Sequence, residues 1–420
     1  MIVALAASEG MHLRSTDISA AFTQGDLDEV VYMLQPEGFH QGGPNKVLKL
    51  LRPLYGLKQA ARQWNIKLHA ALTEMGFKRI ESDRSVYIYS NGVVKIIVPI
   101  YIDDITFASK DNAAIDEAVK KLAIHFKLRD LGPTKFLLGV AVNRDHEKKT
   151  ITLDQCQYIL DMLEKYGMAN CAPVQTPIAV GTALSKTMGP QNSEEVEYMR
   201  NVPYLSAVGS LQYLATMTRP DISYAVAYLA RFNSNPGPKH WTAVKHIFRY
   251  LKSTLDLKLH YGNYTEPFTT YTDAAHGDSI DTGKSTSGYV TTMCGGSIGW
   301  SSKLQGIVAL STTEAEYVAA VEAGKEMYWM RNILQEFGHS VIGPSILHID
   351  NQSAISVSKN PEHHGRMKHL DLRFYWLRDA VSFKRISPSY IPTAEQVADI
   401  LTKPLSPSKI QFCREQMGLK

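Results

Sequence analysis

The chain has 420 residues, of which 44% are hydrophobic and 20% charged, and its net charge is +4. That length is too great for one ordinary core and predicts two to four domains, while the composition excludes wholesale disorder. The small net charge excludes no partner, because a nucleic-acid enzyme can gather its basic residues on one face.

Residues up to about Tyr32 carry helix-like and then mixed patterning, with Gly25 as punctuation. Leu68, Leu72 and Met75 stand at helical spacing before the stop signal Gly76. The β-branched run 93–100, the turn Tyr101-Ile-Asp-Asp104 and the run 105–108 predict strand, tight turn, strand. A helix is expected over 112–126. Short strands are expected over 137–143 and 150–153, and then a helix over 155–166 closed by Gly167. Residues 172–193, rich in Pro, Gly, Thr and Ser, read as a linker. The stretch 203–250 is helical, broken at Asn235-Pro-Gly-Pro238. A new unit opens near Phe268, with three strands, a Gly295-Gly296 hairpin turn, a long helix over 312–337, a strand over 346–350 and shorter helices.

Cys156, Cys171, Cys294 and Cys413 are far apart in sequence, with neither metal-ligand spacing nor a disulfide framework, as a reducing compartment would allow. The apolar start, Ile2 to Ala7, lacks a basic flank and is too short for a signal peptide or a membrane span. A soluble, intracellular protein with no membrane partner is expected.

Two sets of carboxylates carry chemistry. Asp103 and Asp104 are adjacent like charges in a tight turn. They are either solvated turn residues or ligands of a hard cation, for which Asp17 is the candidate third carboxylate. The second set is Asp273, Glu314, Asp350 and Asp399. Ser311 and Glu314 form a capping-box pattern, yet Glu314 also leads the apolar row Val318 and Val321. Asp350 ends an apolar strand, where ligands gather in α/β sheets or where the acid could simply cap the next helix. Asp399 taken alone could be an ordinary helix-surface acid.

The surrounding words are more specific. Asp17-Ile-Ser-Ala-Ala-Phe22, Gln35-Pro-Glu-Gly-Phe39, Leu54-Tyr-Gly-Leu-Lys-Gln59 and Tyr101-Ile-Asp-Asp104 stand in the order seen in copia-type retrotransposon reverse transcriptases, which this chain resembles. Pro203 to Ala215, Thr218-Arg-Pro-Asp-Ile-Ser223 and His240 to Lys252 resemble the connection region of that family. Ser285-Thr-Ser-Gly-Tyr289, Trp300-Ser-Ser-Lys303, Ala309 to Tyr317, Asp350 to Ile355 and Ala398-Asp-Ile-Leu-Thr-Lys-Pro-Leu405 resemble its ribonuclease H, and protease and integrase motifs are absent.

The resemblance implies a multidomain α+β chain. Its parts would be a reverse-transcriptase palm over 1–135, a thumb-like region and linker over 136–200, a connection over 201–264, a ribonuclease H-like α/β unit over 265–407 and a C-terminal tail over 408–420. It implies Asp17, Asp103 and Asp104 as polymerase ligands, and Asp273, Glu314, Asp350 and Asp399 as ribonuclease H ligands. Each site would take two Mg²⁺ ions, with Mn²⁺ as the alternative. Phe22 resembles an aromatic gate against a ribonucleotide 2′-OH, and Gln59 falls in a substrate-contacting motif. The implied partners are an RNA template, a DNA primer, an RNA–DNA hybrid and deoxynucleoside triphosphates, in a cytoplasmic virus-like particle or the nucleus. Two departures predict an impaired polymerase. Only sixteen residues precede Asp17, where the family carries its fingers, leaving Arg14 as the one replacement cation. In addition, Pro99 interrupts the strand before the Asp-Asp turn. A non-catalytic remnant that folds or only binds nucleic acid is the rival reading.

The segment 359–385 holds seven Lys or Arg against three acids. His363, His364 and His369 are interspersed, and Phe374, Tyr375 and Trp376 follow. That mixture suits a nucleic-acid track, with Arg366 and Lys368 as candidate phosphate contacts, or else a solvated helical face.

Overall fold

Alternating apolar residues in the first third of the chain build an antiparallel sheet in the computed structural model, which describes residues 1–43, 45–262, 268–359 and 371–420, the side chains of 371–374 excepted. Helix α1 (Ile2–Glu9) leads into strand β1 (His12–Ile18), and a separate small hairpin pairs β2 (Tyr32–Leu34) with β3 (Val47–Lys49). Helix α2 (Ala60–Glu74) precedes β4 (Lys78–Arg79), β5 (Val86–Ser90), β6 (Lys95–Tyr101) and β7 (Asp104–Ser109), and helix α3 (Asn112–His125) precedes β8 (Leu128–Pro133). The six strands run β4-β5-β6-β7-β1-β8. Trp64, Leu68 and Leu72 of α2 and Ile115, Val119 and Leu122 of α3 bury one face of this sheet.

Pro99 lies in β6, an interior strand, as its position before the Asp-Asp turn implied. The sheet accommodates it by a local gap. Ile96 and Ile97 pair with β7, and pairing resumes only at Ile100. The Ile100 amide donates to the Ser85 carbonyl just before β5, so the missing proline N–H would have faced β7, where the gap lies.

The middle of the chain forms a second sheet and a helical layer. Strands β9 (Phe136–Leu137), β10 (Val140–Asp145) and β11 (Thr150–Asp154) precede helix α4 (Cys156–Lys165). Helices α5 (Ser193–Arg200), α6 (Tyr204–Met217), α7 (Ser223–Ala230) and α8 (Pro238–Lys252) follow, and β12 (Leu259–Tyr261) returns to pair with β11. The expected linker 172–193 is a packed strap. Ile178 and Leu184 are buried in one core with α4 to α8, and the Leu184 amide donates to the Tyr228 hydroxyl at 2.8 Å. An expected boundary at 200/201 therefore runs through a single core rather than between two.

The last part forms a five-stranded sheet in the order β15-β14-β13-β16-β17. Its elements are β13 (Thr269–Ala275), β14 (Thr286–Met293), β15 (Gly296–Leu304), helix α9 (Thr312–Glu336), β16 (Ser345–Ile349), helices α10 (Gln352–Lys359) and α11 (Asp371–Ser382), β17 (Ile386–Tyr390) and helix α12 (Pro407–Gln416). Strands β13, β14 and β15 are antiparallel neighbours, whereas β13, β16 and β17 are parallel, so α9 serves as the crossover. The expected C-terminal tail is corrected by this arrangement. Ile410, Cys413 and Met417 are buried with Val290, Val397 and Leu401, so the terminal helix belongs to this unit. The chain end also forms backbone hydrogen bonds with the β12 segment, at Lys258 and His260.

One core joins the first and last sheets, since Ala4, Leu5, Ile97 and Ala108 pack in the same cluster as Met327, Met330 and Phe337. At its rim Glu9 meets Lys110 at 2.9 Å and His339 at 3.1 Å. His339 holds the Glu9 carboxyl down at about 2, with burial opposing and Lys110 assisting. A depressed carboxyl contributes stability that is fully present above its unfolded value of 4.5 and lost as the pH falls toward 2. Glu9→Gln is thus expected to cost roughly 1–3 kcal/mol at pH 7. Denaturant melts should show that difference shrinking between pH 4.5 and pH 3, whereas a pH-independent difference would mean that the carboxylate charge is not its source.

Among the described residues no helix is long and apolar enough to cross a membrane. The four cysteines are free, with Cys294 and Cys413 buried.

Candidate active sites

The first carboxylate set sits at one end of the first sheet. Asp17 near the end of β1 lies directly opposite Asp104 at the start of β7, and the Ile18 amide donates to the Asp103 carbonyl at 3.1 Å. The turn between β6 and β7 holds Ile102 at φ 57, a left-handed conformation that a β-branched residue rarely adopts. Its carbonyl accepts from the Trp64 indole at 2.8 Å, so a buried tryptophan of α2 anchors the turn that carries both aspartates. Sequence reading missed Trp64, because nothing local links a helix residue to a turn 38 positions away. Burial, then Asp103 and then Asp17 push the Asp104 carboxyl above its ordinary range.

Phe22 lies in the short 3-10 turn Ala21–Gln24 that follows β1, its ring tilted against that of Tyr55 with the centroids 4.5 Å apart. Gln59 donates to Glu29 at 2.6 Å. Arg14, the expected replacement cation, is committed elsewhere: it is bound by Asp130 at 3.0 Å and by Asp116. It is a structural ion pair rather than a free phosphate contact.

The second set is tighter. Strands β13 and β16 are parallel, with Tyr271 level with His348, so two residues further on Asp273 stands beside Asp350. Both lie toward the C-terminal ends of their strands, the edge where α/β sheets collect ligands. The third carboxylate there is Glu316, not Glu314. Oxygens of Asp273, Glu316 and Asp350 all lie within 4.8 Å of one another, and this is the only such group of three among the described residues.

Helix geometry explains the correction. Two residues along a helix turn the side chain by about 200°, so Glu314 and Glu316 face opposite ways. Glu314 accepts the Leu310 amide at 2.9 Å while its own amide donates to Ser311, which is the capping alternative. The row Val318 and Val321 is indeed buried, but α9 is covered on more than one side, so an apolar row did not single out the carboxylate side. The better signal was the small-residue row Ala320 and Ala323 following Glu316, which lets the helix approach closely.

Glu316 is 6% exposed. One of its oxygens accepts the Ala274 amide at 3.2 Å and the other has no hydrogen-bond partner. Burial, followed by Asp273 and Asp350, pushes its carboxyl far up. Burial and then Asp273 raise Asp350 likewise. An unpartnered buried oxygen among crowded acids fits a divalent cation, which supplies the missing partner and offsets the repulsion.

Asp399 is buried in a 3-10 turn, Val397–Leu401, rather than in the expected α-helix. Its Oδ1 lies 2.6 Å from the Lys403 amine and its Oδ2 lies 3.6 Å from Lys409. Lys403 also stands 3.5 Å from Asp273, which further accepts the Thr402 hydroxyl. Arg366, Lys368 and the histidines His363, His364 and His369 lie outside the described residues.

Comparison with known proteins gives the family. A family model for "Reverse transcriptase (RNA-dependent DNA polymerase)" matches residues 1–180, so the chain carries a reverse transcriptase domain. The chain is 43% identical over 422 residues to the Retrovirus-related Pol polyprotein from transposon TNT 1-94 of Nicotiana tabacum, covering 100% of this chain and 32% of that protein. A putative transposon Ty5-1 protein of Saccharomyces cerevisiae is 33% identical over 315 residues, which are 74% of this chain and 100% of the yeast protein. The chain belongs to the copia-type retrotransposon Pol family. It spans about a third of the length of the tobacco polyprotein. The solved N-terminal RNase H domain of a Mycobacterium tuberculosis protein is 15% identical, covering 35% of this chain and 96% of that one, with a TM-score of 0.24.

Proposed function

We propose that the chain is the reverse transcriptase and ribonuclease H segment of a retrotransposon Pol protein, with a ribonuclease centre that hydrolyses RNA in RNA–DNA hybrids. In this reading the first sheet is the palm, the middle sheet and helices are the thumb-like and connection regions, and the last sheet is the ribonuclease H unit. The observation that carries the nuclease is the Asp273, Glu316 and Asp350 cluster with its unpartnered Glu316 oxygen. These three would hold a Mg²⁺ ion, with Asp399 beside Asp273 completing a second position. Bound there, Mg²⁺ or Mn²⁺ would activate water and stabilise charge on the scissile phosphate. The chain's own contribution is placement: parallel strands set Asp273 beside Asp350, and the Ala274 amide fixes Glu316. The sheet and α9 bury Asp273 and Glu316, and Asp350 is half-buried at the open side.

The polymerase centre would be built from Asp17, Asp103 and Asp104, with Trp64 steadying the turn and Phe22 screening the sugar. Its substrates would be a primed RNA template and deoxynucleoside triphosphates. A non-catalytic remnant is disfavoured, because both carboxylate sets and the supports around them are intact.

The test is cleavage of a hybrid with labelled RNA by the full chain, with and without Mg²⁺. Asp350→Asn is expected to lower the rate by about a hundredfold or more while leaving the melting temperature within a few degrees, since it also relieves repulsion. Cleavage by Asp350→Asn at the parent rate in Mg²⁺ would remove the assignment.

A further inference from the structure

The second position beside Asp273 is already occupied by a cation of the chain's own. The Lys403 amine sits 2.6 Å from Asp399 and 3.5 Å from Asp273, so it bridges the two carboxylates that would share a second ion. Lys409 meets the other Asp399 oxygen at 3.6 Å while donating to the Thr393 and Ala394 carbonyls, so its amine is anchored. Glu316 and Asp399 each keep one buried oxygen without a hydrogen bond, but they differ in charge neutralisation: Asp399 has the Lys403 amine 2.6 Å from that oxygen and Lys409 3.6 Å from the other, whereas the carboxylates that crowd Glu316 are Asp273 and Asp350.

We propose that Lys403 is a resident counter-ion that keeps the second metal position closed in the substrate-free protein, so that the ribonuclease centre holds one divalent ion at rest and admits a second only when Lys403 is drawn away. This deepens the nuclease reading above and rests on it. A divalent ion between Asp273 and Asp399 would have to share that space with a positive charge, and like charges at such distances repel strongly. The Lys403 side chain is 38% exposed, so it can swing outward. A scissile phosphate is an anion to which a flexible ammonium can transfer. The second position thereby opens in the presence of substrate, which guards a crowded site against idle occupancy.

The experiment counts Mn²⁺ bound by the full chain without nucleic acid, using the electron paramagnetic resonance signal of the free ion. Asp17→Asn with Asp104→Asn is the common background, so that the polymerase carboxylates do not contribute. With Lys403 present, one ion is expected. Lys403→Gln should bind two, the second at least about tenfold tighter than in the parent. Lys403→Arg should bind one, and adding Asp399→Asn to Lys403→Gln should return the count to one. Should Lys403→Gln fail to fold, Asp399→Asn alone decides: it should leave parental binding unchanged, because Lys403 already keeps Asp399 out of the ion's shell. Two ions of similar affinity with Lys403 in place, no ion gained in Lys403→Gln, or loss of an ion in Asp399→Asn alone would each overturn the proposal. Binding of no Mn²⁺ by any variant is a different failure, which removes the metal centre itself and the proposal with it.

Discussion

Glu316→Gln is expected to abolish cleavage of RNA in a hybrid while making the metal-free protein more stable, and Glu314→Gln is expected to do neither. Glu316 is buried, is crowded by Asp273 and Asp350, and has one oxygen unsatisfied. Ionising it in the empty site costs stability, and glutamine removes that cost while keeping an acceptor for the Ala274 amide. Without the carboxylate the ion loses one of three protein ligands, and the rate should fall by about a hundredfold or more. Mn²⁺ is expected to raise the melting temperature of the parent, and that rise should vanish in the variant. Glu314 serves the helix start, and its glutamine variant can still accept the Leu310 amide. That change should cost no more than about 1 kcal/mol and leave cleavage within a few-fold of the parent. Hybrid cleavage and thermal melts with and without Mn²⁺ check both variants. Retained cleavage in Glu316→Gln together with its loss in Glu314→Gln would restore the order of carboxylates expected from sequence.

The largest loss of stability should come from Asp221→Ala. Arg219 is 1% exposed and donates to both Asp221 oxygens, at 2.9 and 2.7 Å. Asp221 also accepts the Tyr250 hydroxyl at 2.7 Å, and Arg219 reaches the Thr254 carbonyl and hydroxyl. Burial pushes the Asp221 carboxyl up, but Arg219 and Tyr250 outweigh it and hold the group below its usual range. Alanine would strand a guanidinium inside the helical layer. Breaking such a pair costs about 3–5 kcal/mol, and the melting temperature should fall by roughly 10 °C. Arg219→Met combined with Asp221→Ala should recover much of the loss, because no uncompensated charge then remains. A drop under about 1 kcal/mol in Asp221→Ala would show that water reaches Arg219 after all. Thr218-Arg-Pro-Asp-Ile-Ser223 is thus an architectural element, although the motif reads simply as a family signature.

The sequence by itself determined the family and the order of most elements, and it pointed to two neighbourhoods of carboxylates. Those properties are local: β-branched runs, helical spacing, turn residues and motif words are all written in consecutive residues. The Asp-Asp hairpin, the long helix from residue 312 and the strand ending before Asp350 emerged near their expected bounds for that reason. Tertiary structure decided which carboxylate of Glu314 and Glu316 meets Asp273, because α9 is buried on several sides and only its docking against β13 fixes the inward face. It likewise decided that the strap 172–193 packs, that the last helix completes the final unit, and that Arg14 is spent on Asp116 and Asp130. It also brought Lys403 between Asp273 and Asp399, residues 130 and 4 positions away in sequence. Contacts between distant segments depend on how sheets and helices stack, and no local pattern of residues encodes that distance.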